Sequence, residues 1–196
     1  MATKKSQRIG IWIIAIAMTV GTLGSFAAMI LSTQNTAKDQ QTAQKQYEEY
    51  KKQQEEAQKQ ATELSAKYYD SFKEYQSKPA AFDASSVGDK VTTNDIKVGD
   101  GEDVTADTKY LAYYIGWNPT GKVFDSSISG TSLKAPIDTS TTSLIEGWNQ
   151  GVVGMKIGGV REITIPSALA YGEKGSGEDI PGNTPIKFVV MIVEKK

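Results

Sequence analysis

Pro185-Ile186-Lys187-Phe188-Val189-Val190-Met191-Ile192-Val193 decides how the C-terminal half of this sequence folds. Ile186, Phe188, Val190 and Ile192 alternate onto one face, and Val189, Met191 and Val193 occupy the other. A period of two specifies a strand, and apolar residues on both faces specify one that is largely buried. Moving back along the chain, residues 161–166 read as a second strand. Residues 144–155 are the only helical stretch in this half, and a short one. Residues 122–124 form a short strand after the turn Asn118-Pro119-Thr120-Gly121. Residues 109–117 and 91–98 are rich in β-formers and are separated by the turn Gly99-Asp100-Gly101. This pattern predicts an α+β domain over residues 90–196, an antiparallel sheet wrapped around one short helix. A segment of that length can bury a single core.

The sequence has no cysteine and no histidine. Disulfides, thiolate nucleophiles, zinc-finger ligand sets and Ser-His-Asp triads are therefore excluded. Carboxylates, lysines, tyrosines, hydroxyls, amides and backbone groups remain. No metal and no cofactor is expected. The net charge of −1 is unevenly spread. Residues 79–196 carry eleven basic and fifteen acidic side chains, which argues against a nucleic-acid partner.

Two other segments precede the β-rich one. From Ile9 to Leu31 no residue is charged, and a helix of that length crosses the roughly 30 Å hydrocarbon core of a bilayer. Lys4, Lys5 and Arg8 flank it and predict a cytoplasmic N-terminus, with everything after residue 32 outside. A cleaved signal peptide is the alternative, but its apolar core would be about 7–15 residues. Ser25-Phe26-Ala27 is also a poor cleavage site. Residues 1–32 are thus read as a basic tip and an uncleaved signal-anchor in the cell membrane. Residues 33–78 are rich in Gln, Lys, Glu and Ala and predict a long helical stalk. Ala43, Tyr47, Tyr50, Ala57, Ala61, Leu64, Tyr68 and Tyr75 share one heptad register, a weak coiled-coil seam interrupted by Gln54 and Ser71. Two readings stay open for it, a solvated spacer and a weakly self-associating stalk. Pro79 ends this helix, and residues 79–89 read as a linker.

Within the β-rich segment, aromatic residues sit beside loops. They are Tyr113, Tyr114, Phe124, Trp148, Tyr171 and Phe188. Phe124-Asp125-Ser126-Ser127 places an acid directly after an aromatic, and Ala170-Tyr171-Gly172 opens a glycine-rich loop that ends at Ile180-Pro181. Loops of this kind carry sites more often than core.

At these residues the sequence resembles the FK506-binding (FKBP-type) peptidyl-prolyl cis-trans isomerase family. The stretches that carry the resemblance are Tyr114-Ile115-Gly116, Thr120-Gly121-Lys122-Val123-Phe124-Asp125-Ser126-Ser127, Leu144-Ile145-Glu146-Gly147-Trp148 with Gly151-Val152 and Met155, Ala170-Tyr171-Gly172 with Ile180-Pro181, and Phe188-Val189-Val190. They run in register over residues 91–196. The resemblance implies a pocket between a curved sheet and its helix, with Trp148 as the floor. It implies walls from Tyr114, Phe124, Phe188, Leu144, Ile145 and Ile180. The Ile145 N–H and the Tyr171 hydroxyl would donate to the bound peptide, and Asp125 would lie at the edge, near the twisting amide.

Two departures stand out. The family's usual wall aromatic before the Leu-Ile-x-Gly-Trp motif is absent from residues 131–138. Ser176 stands where the member best known for macrolide binding has a histidine. The expected activity is rotation of X-Pro bonds in exported polypeptides, with FK506-like macrolides as further ligands. The alternatives are a non-catalytic module that binds proline segments or a partner, and a stalk-mediated structural role.

Overall fold

The computed structural model describes residues 37–196. The signal-anchor expected over residues 9–31 lies outside the described residues. Among the described residues no helix is long and apolar enough to cross a membrane.

Helix α1 spans Ala37–Lys73 and continues as a 3-10 turn, Glu74–Ser77. Eight strands follow, β1 (Thr92–Lys97), β2 (Tyr110–Trp117), β3 (Val123–Ser126), β4 (Ile128–Ser129), β5 (Ser132–Leu133), β6 (Ile137–Asp138), β7 (Val160–Ile165) and β8 (Ile186–Lys195). Helix α2, Glu146–Val152, lies between β6 and β7. The main sheet runs β1-β7-β8-β2-β3 and is antiparallel throughout, with β6 also paired to β2, while β4 and β5 form a separate hairpin. The antiparallel sheet with a short helix is thus as expected. Strands β4 to β6 were not anticipated, because two-residue strands leave no periodicity to read.

The strand alternation sorts side chains into two cores. Tyr110 and Ala112 of β2, Ile163 and Ile165 of β7, and Ile186, Phe188, Val190 and Ile192 of β8 pack with Trp148 and Val152 of α2. Helix α2 can lie this close because of two glycines four residues apart. A Cβ on Gly147 would meet Ile165 Cγ2 at 2.2 Å, and one on Gly151 would meet Ile163 Cγ2 at 2.4 Å. The helix is shorter than expected because Gly154 turns the chain at φ +78°, a conformation that favours glycine. Arg161, buried in this region, donates to both Asp95 carboxylate oxygens at 2.6 and 3.1 Å and to the Gly151 and Val153 carbonyls at 2.9 and 3.0 Å. It thereby ties the end of α2 to edge strand β1 and gives donors to carbonyls at the helix end, where they lack intrahelical partners.

The opposite face is where the structure departs from expectation. Leu111, Tyr113, Ile115, Trp117, Val189, Met191 and Val193 are buried there against Leu64 and Phe72, with Tyr68, Tyr69, Tyr75 and Phe82 partly buried around them. A compact unit runs from Gln60 to Lys196, so the domain begins thirty residues before the expected boundary at 90. The last turns of α1 are a structural layer of the domain, not a solvated stalk. Over those turns the expected coiled-coil seam faces its own chain's sheet. The physical reason is the strand pattern itself, since a sheet apolar on both faces needs a cover on each. The expected linker is docked as well. Trp117 Nε1 donates to the Ala80 carbonyl at 3.1 Å, the Phe82 N–H to the Pro119 carbonyl at 3.0 Å, and Lys187 Nζ sits 5.2 Å from the Phe82 ring centroid.

Tyr113 lies at the middle of this second core, its ring 5.9 Å from Phe72 and 6.4 Å from Tyr68. Its buried hydroxyl has no hydrogen-bond partner among the described residues. Burial first, then the nearby Glu194 and Tyr68, push its pKa up to about 12. Leaving a buried donor unmade costs about 1–3 kcal/mol, so Tyr113→Phe should raise stability by about 1 kcal/mol. The sign with pH follows from linkage. A folded pKa above the unfolded value of about 10 leaves stability intact below pH ~10 and removes it as pH rises toward ~12. Urea melts of the two proteins from pH 7 to 12 check both points. A Tyr113→Phe protein that is less stable at pH 7 would contradict the assignment.

Candidate active site

The face of the sheet that meets α2 gathers a cluster of aromatic residues. Tyr114 comes from β2, Phe124 from β3, Phe188 from β8 and Trp148 from the first turn of α2. Trp148 and Phe188 have ring centroids 5.1 Å apart at 76°, Tyr114 and Trp148 5.7 Å at 84°, and Phe124 and Phe188 5.6 Å at 88°. Edge-to-face contacts of this kind suit the ring quadrupole and fix each ring by its neighbours. Gly116 makes room for them. A Cβ there would lie 2.5 Å from Phe188 Cε1 and 2.7 Å from Phe124 Cε2. Ile180 is buried in the same core, and Leu144, Ile145 and Tyr171 pack against it partly buried. All the apolar residues expected at the pocket are therefore brought together.

Two elements aim the polar groups. Ile145 sits at the N-cap of α2 in extended conformation, φ −63° and ψ 151°. The N–H groups of Trp148 and Asn149 turn back to its carbonyl at 3.1 and 3.2 Å. Its own N–H precedes the helix and makes no hydrogen bond among the described residues. The loop from Tyr171 is closed by Gly175 N–H to the Tyr171 carbonyl at 3.1 Å and by Ser176 N–H to the Ile180 carbonyl at 2.7 Å. Asn118 Nδ2 donates to the Asp179 carbonyl at 2.8 Å, and Lys122 pairs with the Asp179 carboxylate, so this loop is held against the β2–β3 turn.

Asp125 is exposed at the rim. It accepts one hydrogen bond from the Tyr114 hydroxyl, a second from the Ser126 N–H at 2.8 Å, and pairs with Lys134 Nζ at 3.3 Å. Burial, and then the adjacent carboxylate, push the Tyr114 pKa far above the ordinary phenol value. Tyr171 moves the same way, from burial first and then the charge of Asp125. Both phenols thus stay protonated, as donors, through and beyond neutral pH.

The sequence reading gave no role to three contributors. Lys134 partners Asp125 from nine residues along the chain. The buried Ser127 hydroxyl accepts from the Tyr114 N–H at 3.0 Å. The Tyr110 hydroxyl accepts from Trp148 Nε1 at 3.0 Å and locks the indole from below. Ser127 ends the quoted Phe124-Asp125-Ser126-Ser127 stretch, and Tyr110 lies two and four residues before Ala112 and Tyr114 on the same strand face, whereas Lys134 left no signal. Residues 131–138 supply no aromatic, and from that stretch Ile137 packs against the site's core. Among the described residues no cluster of acidic side chains could hold a metal ion.

The chain is similar to several known proteins. A family profile described as "FKBP-type peptidyl-prolyl cis-trans isomerase" matches residues 99–193. A protein named "Probable FK506-binding protein" from Corynebacterium glutamicum is 38% identical over 101 residues, covering 50% of this chain and 82% of its own length. "FK506-binding protein" from Neisseria meningitidis is 34% identical over 100 residues, covering 51% of this chain and 91% of its own. "FK506-binding protein 4" from Rhizopus delemar is 39% identical over 102 residues, or 52% of this chain, and the match spans 26% of that longer protein. The chain belongs to the FKBP-type peptidyl-prolyl cis-trans isomerase family.

Proposed function

We propose that this chain catalyses rotation about X-Pro peptide bonds in exported polypeptides, without covalent chemistry. The observation that carries this reading is the aromatic cluster of Trp148, Tyr114, Phe124 and Phe188, with Asp125 bonded to the Tyr114 hydroxyl at its edge and Tyr171 packed against the same core. Amide resonance sets the uncatalysed barrier at about 18–20 kcal/mol. A twisted amide has lost its charge separation, so an apolar basin favours it over the planar ground state. The Ile145 N–H and the Tyr171 hydroxyl are suited to hold the peptide carbonyls around the proline. Twisting also removes nitrogen's electron donation from the carbonyl carbon, and a carboxylate at the rim stabilises the partial positive charge left there. Lowering the barrier by about 5–7 kcal/mol gives roughly 10⁴–10⁵ in rate.

Two further points belong to the same proposal. Residues 9–31 anchor the chain once in the cell membrane with the isomerase domain outside. FK506-like macrolides compete for the basin. Protease protection of the N-terminal tip, with the domain digested from the outer face, tests the orientation.

The direct test is isomerisation of an X-Pro peptide by the chain, with and without FK506. A rate gain abolished by the drug supports the reading. A folded protein that binds the peptide without a gain supports a proline-binding module instead, the alternative that the aliphatic stretch 131–138 favours. Tyr171→Phe removes one neutral donor worth about 0.5–1.5 kcal/mol and should lower kcat/KM about two- to tenfold. An unchanged rate would remove Tyr171 from the mechanism.

A further inference from the structure

The buried Ser65 of α1 accepts a hydrogen bond from the Leu133 N–H at 2.8 Å. One turn on, Tyr69 donates to the Gly130 carbonyl at 3.3 Å. Both partners belong to the β4–β5 hairpin, and the Leu133 side chain is buried in the core that α1 covers. The base of that hairpin closes through the Lys134 N–H on the Ser127 carbonyl at 2.8 Å. Ser127 is in turn bonded to the Tyr114 backbone by its own N–H at 2.8 Å and its hydroxyl at 3.0 Å. Lys134, the residue after Leu133, places its ammonium 3.3 Å from Asp125, the carboxylate that holds the Tyr114 hydroxyl. An unbroken set of contacts therefore runs from the last turns of α1 to the rim of the basin.

We propose that Ser65 and Tyr69 are positioning residues for the candidate active site. They hold the β4–β5 hairpin so that Lys134 stays against Asp125 and the rim keeps its shape. Hairpins of two-residue strands do not hold themselves in water, so this one depends on outside partners. Lys134 carries a flexible stem, and its head is fixed only as well as its backbone is. The helix that seals the far face of the sheet thus also sets the geometry of the near face. The inference rests on the isomerase reading for its kinetic consequence and on geometry alone for its structural one.

The test uses the full chain with Ser65→Ala, Ser65→Thr, Tyr69→Phe, Lys134→Met and the Ser65→Ala/Lys134→Met double variant, at a temperature where all are folded. The Ser126 amide donates to the Asp125 carboxylate at 2.8 Å, so its NMR resonance reports on that carboxylate. Ser65→Ala should move the resonance and lower kcat/KM about two- to tenfold, the worth of one lost neutral hydrogen bond. Ser65→Thr, which keeps the acceptor, should restore both. The double variant should be no slower than the worse single one, because both changes break the same contact set. A merely destabilising effect would leave the Ser126 resonance in place and give effects that multiply. An unmoved Ser126 resonance in both Ser65→Ala and Tyr69→Phe overturns the proposal, as do multiplicative effects. A wild-type chain with no isomerase activity overturns the functional reading, and the Ser126 resonance then decides the positioning claim by itself.

Discussion

A fragment of residues 79–196 should unfold at far lower urea than a fragment of residues 60–196, although both contain every strand and every candidate site residue. The difference is the end of α1. Leu64 and Phe72 are 5% and 0% exposed, against a sheet face formed by Leu111, Tyr113, Ile115, Trp117, Val189, Met191 and Val193. Burying each such side chain contributes about 1.5–3 kcal/mol, and the partly buried Tyr68, Tyr69 and Tyr75 add to it. A loss of about 5 kcal/mol or more is comparable with the whole stability of an ordinary domain, about 5–15 kcal/mol. The shorter fragment also exposes a contiguous apolar face, which invites aggregation. Urea titrations followed by tryptophan fluorescence and circular dichroism measure the effect. Coincident midpoints would mean that the helix merely rests on the sheet.

Asp125→Ala should lower kcat/KM about ten- to 150-fold while the fold survives. The Asp125 carboxylate accepts from the Tyr114 hydroxyl and the Ser126 N–H, and hydrogen bonds to a charged group are worth about 1.5–3 kcal/mol each. Losing one such interaction at the transition state converts to that range of rate. Asp125→Asn separates two origins, since it keeps the shape and an acceptor for Tyr114 but removes the charge. If the charge acts on the twisting carbonyl, Asn should lose nearly as much as Ala. If Asp125 only orients Tyr114, Asn should recover most of the rate. Full activity in Asp125→Ala would place the chemistry elsewhere in the basin.

Much of this architecture is legible in the sequence. The long strands follow from period-two alternation, and both faces of residues 185–193 were apolar, which already required two covering layers. The second layer went unassigned because its helix looks like a spacer. The heptad register runs 64, 68, 71, 75 and meets Ser71, so the seam reads as broken. A straight helix drifts from the heptad, and the stripe that meets the sheet runs Leu64, Tyr68, Phe72, Tyr75. The residue that completes the face was one position away from where a supercoil would put it. The basin's apolar members were legible through short motifs that the chain shares with its family. Ser127 stood in one of those motifs but its bond to the Tyr114 backbone was not legible, and Lys134 left no mark at all, because both roles arise from hairpin closure.

Strand β8 occupies the middle of the sheet, paired to β7 on one side and to β2 on the other, yet it comes last of the described strands in chain order. As the chain emerges from its N-terminus, β2 with β3 and β1 with β7 can form as two separate halves, each with an open edge toward the missing strand. Residues 186–195 must arrive before the halves can join, and Phe188 and Val189, which serve the two cores from adjacent positions, arrive with them. A protein proposed to help other chains past slow folding steps would itself carry two open sheet halves until residues 186–195 are delivered. It would depend, until its last strand is delivered, on whatever shields open sheet edges from one another.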